Sequence, residues 1–122
     1  MIYGIGTDIV ELERVRKACL RTSFLTRSFT EAERREASFS EKRLAGDFAV
    51  KEAVSKAFGT GVSGFELYEI EVLRDERGAP YVRLSGQAAA LSERLGIGRI
   101  HVSISDTDTY VTAFAVAECR QQ

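Results

Sequence analysis

The chain has 122 residues, of which 44% are hydrophobic and 29% are charged, a balance typical of a globular protein with one core. The net charge of −1 argues against general nucleic-acid binding, and no apolar run is long enough to cross a membrane. We therefore expect one domain, residues 1–122. No basic segment precedes the first apolar stretch and the two cysteines lack metal-like spacing, so we predict a cytoplasmic protein with reduced thiols.

The first third of the sequence predicts a strand followed by basic helices. Residues 2–10 are apolar and β-branched, as in a strand, and residues 11–21 have the spacing of an amphipathic helix. Thr30 and Glu33 form the capping-box pattern at the start of a short helix. Over residues 14–43 there are nine basic and four acidic side chains. Such a segment in a neutral protein indicates an acidic partner, unless it is simply a solvated helical face.

The rest of the sequence predicts two β-hairpins and two helices. Glycines end the longer helix, and Ser85 is expected to cap the shorter one. Hairpins beside segregated helices predict the α+β class, an antiparallel sheet with helices packed on it. The predicted elements are a helix at 40–58, strands at 69–73 and 79–84, a helix at 86–95, and strands at 100–105 and 110–117.

Asp8 is an unexpected charge in the first predicted strand. The period of two places it on the same face as Gly4 and Gly6, where two glycines would leave room for a ligand close to the backbone. A buried unpaired carboxylate is costly, so Asp8 should meet a cationic partner, solvent or a metal ion. The alternative is that Asp8 lies at the strand end and caps the following helix.

The long helix carries Glu52 and Lys56 in or beside a stripe of small side chains. Because these two residues are separated by four positions, they can form an ion pair, which would be an ordinary salt bridge if it is exposed. The other helical positions are apolar nearly all round, which is typical of a buried helix. The stripe consists of Ala45, Ala49, Ala53 and Ala57.

Polar donors line one face of the penultimate strand, where His101, Ser103 and Ser105 alternate with apolar residues. They could be structural, or they could surround a phosphate group. Two carboxylates are typical ligands of magnesium, which completes its coordination with water and substrate phosphates, and a lysine can stabilise a transferring phosphate. The residues alone therefore predict a magnesium-dependent, phosphate-handling site.

Two segments resemble the signature motifs of the small, single-domain 4′-phosphopantetheinyl transferases: GIGTDIVE at residues 4–11 and FAVKEAVSKAFGTG at residues 48–61. EIEVLRDERGAPYV at 69–82 and HVSISD at 101–106 are similar to the same family in order and spacing. The resemblance implies transfer of 4′-phosphopantetheine from coenzyme A to a serine of apo acyl carrier protein for fatty acid biosynthesis, with release of 3′,5′-ADP. It also implies a homotrimer with active sites between subunits.

The resemblance assigns roles to individual positions. Asp8 and Glu52 match the metal ligands, for Mg²⁺ with Mn²⁺ as an alternative ion, and together with Lys56 they match the catalytic set. The serine proton could pass to Glu52 or to water. The positions matched to coenzyme A binding are Lys56, His101, Arg43, Lys42, Ser55, Gly59, Gly61, Pro80 and Ser103. The positions matched to docking of the acidic carrier protein are Arg14, Lys17 and Arg21.

Two residues depart from the family pattern. Asp47 stands where many relatives have an arginine, so a phosphate contact at that position would be lost or would come from Lys42 or Arg43. Asp106 stands where many relatives have a second histidine. Two other functions remain open: a non-catalytic module that binds coenzyme A or a nucleotide, and the same transfer to carrier domains of polyketide or peptide synthetases.

Overall fold

The computed structural model describes residues 1–38 and 40–121. It confirms the predicted α+β class. A short 3₁₀ turn, Leu67–Glu69, precedes the second strand. In chain order the strands and helices are β1 (Ile2–Glu11), α1 (Leu12–Ala18), α2 (Thr22–Ser28), α3 (Glu31–Glu36), α4 (Glu41–Phe58), β2 (Ile70–Arg74), β3 (Pro80–Leu84), α5 (Gly86–Arg94), β4 (Ile97–Asp106) and β5 (Tyr110–Cys119).

The main sheet has three antiparallel strands in the order β1-β5-β4, and β2 and β3 form a separate antiparallel hairpin. Helix α4 packs across one face of the main sheet, against β1 and β5 above all. Small residues of β5 fill this face, since Ala113, Ala115 and Ala117 are all buried. The predicted alanine stripe of α4 is buried against them. This packing places α4 directly over the β1 residues that precede the first helix.

Gly4 and Gly6 allow α4 to approach β1 without intervening side chains. A Cβ atom at Gly6 would lie 1.8 Å from the Ala53 carbonyl oxygen, and one at Gly4 would lie 2.3 Å from the Ala57 carbonyl oxygen. The hypothesis that these glycines leave room for a ligand is therefore wrong, because helix backbone fills the space. Their effect is instead to bring the second half of α4 close to Asp8.

A buried ion pair fixes the opposite side of α4. The Lys51 ammonium has no exposed surface and donates hydrogen bonds to Glu33 Oε1 at 2.9 Å, to the Ile70 carbonyl at 2.6 Å and to the Leu67 carbonyl at 3.2 Å. Glu33 Oε2 accepts from the Val72 amide at 2.9 Å. Every partner is satisfied within the fold, so this network joins α3, α4 and β2 as a structural unit.

Three local predictions need correction. The first helix is shorter than residues 11–21, and the segment after it forms a separate helix, α2, that was not predicted. The residue before α2, Arg21, makes no side-chain cap hydrogen bond, so the usual sequence signal is missing. Ser85 does not cap α5 either, because the Glu69 carboxylate accepts from the Gln87 amide at 3.0 Å.

Within the described ranges, no helix combines the length and apolar character that a membrane crossing requires.

Candidate functional site

The closest charged contact between β1 and α4 is formed by Asp8 and Lys56. The Lys56 Nζ lies 3.3 Å from Asp8 Oδ1 and donates a 2.8 Å hydrogen bond to the Thr7 carbonyl oxygen. Lys56 therefore pairs across to the strand, whereas the spacing along the helix had suggested Glu52 as its partner. Asp8 lies inside β1 rather than at its end, so the capping alternative is wrong.

Asp8 and Glu52 line the same cavity. Over residues 1–38 and 40–121, the buried Asp8 Oδ2 atom has no hydrogen-bond partner. Burial raises the pKa of Glu52, the charge of Asp8 raises it further, and Lys56 acts in the opposite direction. Two carboxylates that share a cavity repel each other, and a cation between them would relieve that repulsion.

The donor set fits Mg²⁺. Its ligands in proteins are oxygen atoms, and it commonly takes only one or two carboxylates and completes its shell with water and phosphate. Within the described part of the chain, no group of three or more His, Cys, Asp or Glu side chains forms an alternative metal cluster. Asp8 and Glu52 are thus the side chains that would hold the ion.

The cavity beside these carboxylates has a volume of about 470 Å³ and joins a charged end to an apolar wall. Arg14 of α1 lines this cavity, and Phe24 of α2 and Phe48 of α4 contribute aromatic rings whose centroids are 5.6 Å apart. The two phenylalanines also line a neighbouring cavity of about 350 Å³ that contains Arg21 and Arg27. The site therefore has an extended apolar surface bordered by arginines.

The sequence patterns did not indicate Phe24 and Arg27 as cavity residues, because they did not predict helix α2. Phe48 was noted only as an apolar residue of a buried helix, although its ring forms part of the cavity wall. The three predicted docking residues Arg14, Lys17 and Arg21 are all exposed. Arg14 lines the cavity that contains the carboxylate pair, and Arg21 lines the neighbouring cavity.

His101 and Ser103 lie on the face of the main sheet that points away from α4. Their neighbours Val102 and Ile104 pack towards the core, whereas His101 and Ser103 are exposed. His101 Nε2 contacts Glu118 Oε1, and this hydrogen bond lowers the pKa of Glu118. Because the sheet separates them, a single chain does not bring His101 and Ser103 together with Asp8 and Glu52.

The residues at the end of α4 have structural contacts of their own. Ser55 is fully buried, and its hydroxyl donates to the Glu52 carbonyl at 2.7 Å. Gly59 ends the helix with φ of +85°, a conformation that favours glycine. The Gly61 amide donates to the Ser55 carbonyl at 3.1 Å. In a single chain, Ser55 thus supports the helix end and offers no surface to a ligand, while Gly59 and Gly61 remain accessible. Pro80 begins β3 and is half-buried.

The two basic residues expected to replace a missing phosphate contact are each paired with an acid. Lys42 Nζ lies 3.6 Å from Asp106 Oδ1, so one departure from the family pattern meets a lysine. Arg43 Nη2 lies 3.1 Å from Glu36 Oε2. Both bases are engaged within the chain, although Lys42 keeps 44% of its side-chain surface exposed.

Asp47, the other departure, points into the protein. It is 1% exposed, and its Oδ1 atom lies 2.9 Å from Arg74 Nη2. The contact is an ion pair without good hydrogen-bond alignment, since Asp47 Oδ1 and Arg74 Nη1 have no hydrogen-bond partner among the described residues. Burial raises the pKa of Asp47 to about 6, and Arg74 only partly opposes this shift. Asp47 therefore belongs to the buried side of α4 and does not face the cavity.

Known proteins match the chain in both sequence and structure. A 4′-phosphopantetheinyl transferase superfamily model matches residues 4–115. A holo-[acyl-carrier-protein] synthase of Lachnoclostridium phytofermentans is 49% identical over 118 residues, which are 97% of each chain. The crystal structure of the Neisseria meningitidis synthase has a TM-score of 0.87 at 37% identity, covering 97% of this chain and 99% of that one.

Two further relatives were solved with ligand. The Bacillus anthracis synthase, described as a complex with coenzyme A (3′,5′-ADP), has a TM-score of 0.82 at 36% identity and covers 98% of this chain and 99% of its own. The Helicobacter pylori synthase in complex with coenzyme A has a TM-score of 0.84 at 28% identity, with coverages of 93% and 99%. On this sequence and structural agreement, the chain belongs to the 4′-phosphopantetheinyl transferase superfamily.

Proposed function

We propose that this chain is a magnesium-dependent holo-[acyl-carrier-protein] synthase that transfers 4′-phosphopantetheine from coenzyme A to a serine of apo acyl carrier protein. The observation that carries the proposal is the cavity that Asp8 and Glu52 both line, with Lys56 paired to Asp8. The proposed substrates are supported by the 49% identity, over nearly the full chain, to a synthase of that name. Fatty acid biosynthesis is the process that such a carrier serves.

Asp8 and Glu52 would hold the divalent cation, Mg²⁺ or alternatively Mn²⁺. The unpartnered Asp8 Oδ2 atom supports this assignment, because a buried carboxylate oxygen without a partner is costly. When bound, the ion would offset the negative charge of the coenzyme A pyrophosphate and the charge that develops on its leaving group. The protein's part is to present two fixed oxygen ligands at one end of the cavity.

The reaction needs no nucleophile from the enzyme. The carrier serine oxygen attacks the β-phosphorus of coenzyme A, a new O–P bond forms, and the P–O bond to 3′,5′-ADP breaks. The ammonium of Lys56 stabilises the departing phosphate electrostatically. The serine proton passes to Glu52 or to a water molecule.

The carrier protein docks along α1 and α2. Arg14, Lys17 and Arg21 supply positive charge for an acidic partner, and the apolar wall around Phe24 and Phe48 can receive the apolar side chains of a docked helix. This arrangement would place the carrier serine at the charged end of the cavity. It also explains why the basic third of the chain surrounds an otherwise acidic site.

Coenzyme A binds between copies of the chain in a homotrimer. Support comes from the outer face of the main sheet, where Ile5, Ile9 and Phe114 are 60%, 62% and 46% exposed. Exposed apolar surface of this kind is typical of an association site. Because His101 and Ser103 lie on the same face, a neighbouring copy would bring them to the carboxylate pair that they cannot reach within one chain.

The two cysteines are not in a disulfide, which supports a cytoplasmic location.

The first experiment is to incubate the protein with coenzyme A, Mg²⁺ and apo acyl carrier protein and to record the intact mass of the carrier. The proposal requires a gain of one phosphopantetheine that disappears with a metal chelator. If a carrier shown to be competent with another transferase gains nothing, carrier domains of polyketide and peptide synthetases are tested next. Failure with every carrier, together with retained coenzyme A binding, would favour a non-catalytic binding module.

A further inference from the structure

Lys56 is held in place although about half of its side chain is exposed. Its side chain is 52% accessible, yet the ammonium has two acceptors on β1: the Thr7 carbonyl at 2.8 Å and Asp8 Oδ1 at 3.3 Å. A free surface lysine would lose considerable side-chain entropy in adopting one such position. Two acceptors from consecutive strand residues therefore define where the ammonium stands before any substrate is present.

The two oxygens of Asp8 have different surroundings. Oδ1 faces the Lys56 ammonium, whereas Oδ2 is buried and lacks a hydrogen-bond partner in the part of the chain that the structure describes. Glu52 lines the same cavity. One carboxylate thus faces a lysine on one side and is available to a metal ion on the other.

We infer that Asp8 is also the positioning residue for Lys56, and that Lys56 in this position weakens the binding of a divalent cation to Asp8 and Glu52. The inference rests on the metal site of the proposed function. Two cations that share one carboxylate repel each other, and the repulsion is strong at short distance in a partly buried site. The phosphates of coenzyme A would reverse the balance, because they add negative charge and offer Lys56 another partner. The ion should therefore bind tightly only together with coenzyme A.

The test is the affinity for Mn²⁺ alone, measured from the electron paramagnetic resonance signal of the free ion in the absence of coenzyme A. Lys56→Met removes the competing charge and should tighten Mn²⁺ binding about five- to tenfold. Lys56→Arg keeps the charge and should remain close to the wild-type affinity. Arg35→Met is the matched control, because it removes one positive charge from an exposed pair with Glu31 on α3. Unchanged or weaker Mn²⁺ binding by Lys56→Met would overturn the inference.

A second measurement separates this inference from the proposed function. The affinity for coenzyme A in the presence of Mg²⁺ should fall several-fold in Lys56→Met, opposite in sign to the change for Mn²⁺ alone. Merely loosening the fold would not produce opposite changes. If the Mn²⁺ effect appears without a loss of coenzyme A affinity, the inference stands and the phosphate role proposed for Lys56 fails. If Asp8→Asn binds Mn²⁺ as the wild type does, the metal assignment fails and the inference falls with it.

Discussion

Helix α4 carries a lysine near a carboxylate on each of two sides, and the two pairs differ in how fully they are bonded. Lys51 and Glu33 are completely buried, and each has hydrogen-bond partners within the fold. Lys56 is about half exposed, and its partner Asp8 keeps one oxygen without a hydrogen bond among the described residues. Two lysines five positions apart thus belong to a structural network on one side of α4 and to the proposed metal site on the other.

Hydrogen-bond satisfaction of the polar atoms separates the structural pair from the proposed ligand pair better than burial does. Both carboxylates are shielded from solvent, since Asp8 is only 16% exposed and Glu33 is not exposed at all. What distinguishes them is Asp8 Oδ2, which has no hydrogen-bond partner among the described residues, whereas both oxygens of Glu33 accept hydrogen bonds.

Breaking the buried pair should cost stability. Lys51→Met leaves the Glu33 carboxylate buried without its counter-charge, and we expect the free energy of unfolding to fall by about 3–5 kcal/mol. Urea denaturation followed by circular dichroism measures the change. The double variant Lys51→Met/Glu33→Gln removes the unpaired charge and should recover much of the loss. A stable Lys51→Met protein that loses only activity would contradict the comparison, because the buried pair would then act in function.

Removing a proposed metal ligand should have the opposite effect: turnover should fall while the stability of the fold is kept. Asp8→Ala and Glu52→Ala should each lower turnover about 100- to 1,000-fold, while the free energy of unfolding changes by no more than about 1 kcal/mol. The intact-mass assay gives the rate, and urea denaturation under the same conditions gives the stability. Near-normal turnover with Mg²⁺ in either variant would show that the metal assignment is wrong. A large loss of stability would place Asp8 or Glu52 with the structural network.

Asp47 is an intermediate case, buried but poorly bonded. Its pKa in the folded protein is raised from 3.8 to about 6, so between these values the folded state holds a proton that the unfolded chain has released. Stability should therefore decrease as pH rises through this window, by about 1.4 kcal/mol per pH unit and about 3 kcal/mol in total. Above pH 6 this contribution should be constant.

Asp47→Asn isolates the effect, because an amide does not titrate. Denaturation of the wild type and the variant at pH 4, 5, 6 and 7 gives the difference in unfolding free energy at each pH. We expect that difference to shift in favour of the variant as pH rises to 6. A difference that does not depend on pH would mean that the Arg74 ion pair keeps Asp47 charged throughout.

The smallest effect is expected at the docking surface. Reversing the charge in Arg14→Glu should raise the KM for carrier protein about three- to tenfold and flatten its dependence on salt, since long-range attraction to an acidic partner is lost. Arg16→Glu is a matched control on the same helix, where Arg16 pairs with Glu13. Equal effects of the two reversals would indicate nonspecific attraction, and an unchanged KM in Arg14→Glu would place the docking surface elsewhere.

The sequence predicted the carboxylate pair because Asp8 and Glu52 interrupt patterns that are otherwise apolar or small. It also predicted the α+β class and the main hairpin, whose alternation is regular. The pairing of Lys56 was not predictable in the same way. Helical spacing favours Glu52 as the partner, and only the close approach of α4 to β1 brings Asp8 within reach.

Other features depend on tertiary contacts that leave weak local signals. Helix α2 has seven residues and no side-chain cap, so its Phe24 could not be assigned to a cavity wall. Glu33 was recognised as part of a capping box, which the structure confirms, but its second oxygen bonds a strand thirty-nine residues away. The alternation in β4 correctly placed His101 and Ser103 on one face, and it could not tell which face of the sheet covers the core.

The glycines of β1 make the geometry of the site depend on residues that carry no functional group. Asp8 follows Gly6 on the same face of the strand. The Ala53 carbonyl oxygen fills the space that a Cβ atom at Gly6 would need, and Ala53 is the residue next to Glu52. The separation between the carboxylates is thus set by direct backbone contact, with no flexible side chain to absorb a change. A methyl group added at Gly6 would push strand and helix apart at that point. Such a neutral substitution would leave both carboxylates intact and still widen the separation between them.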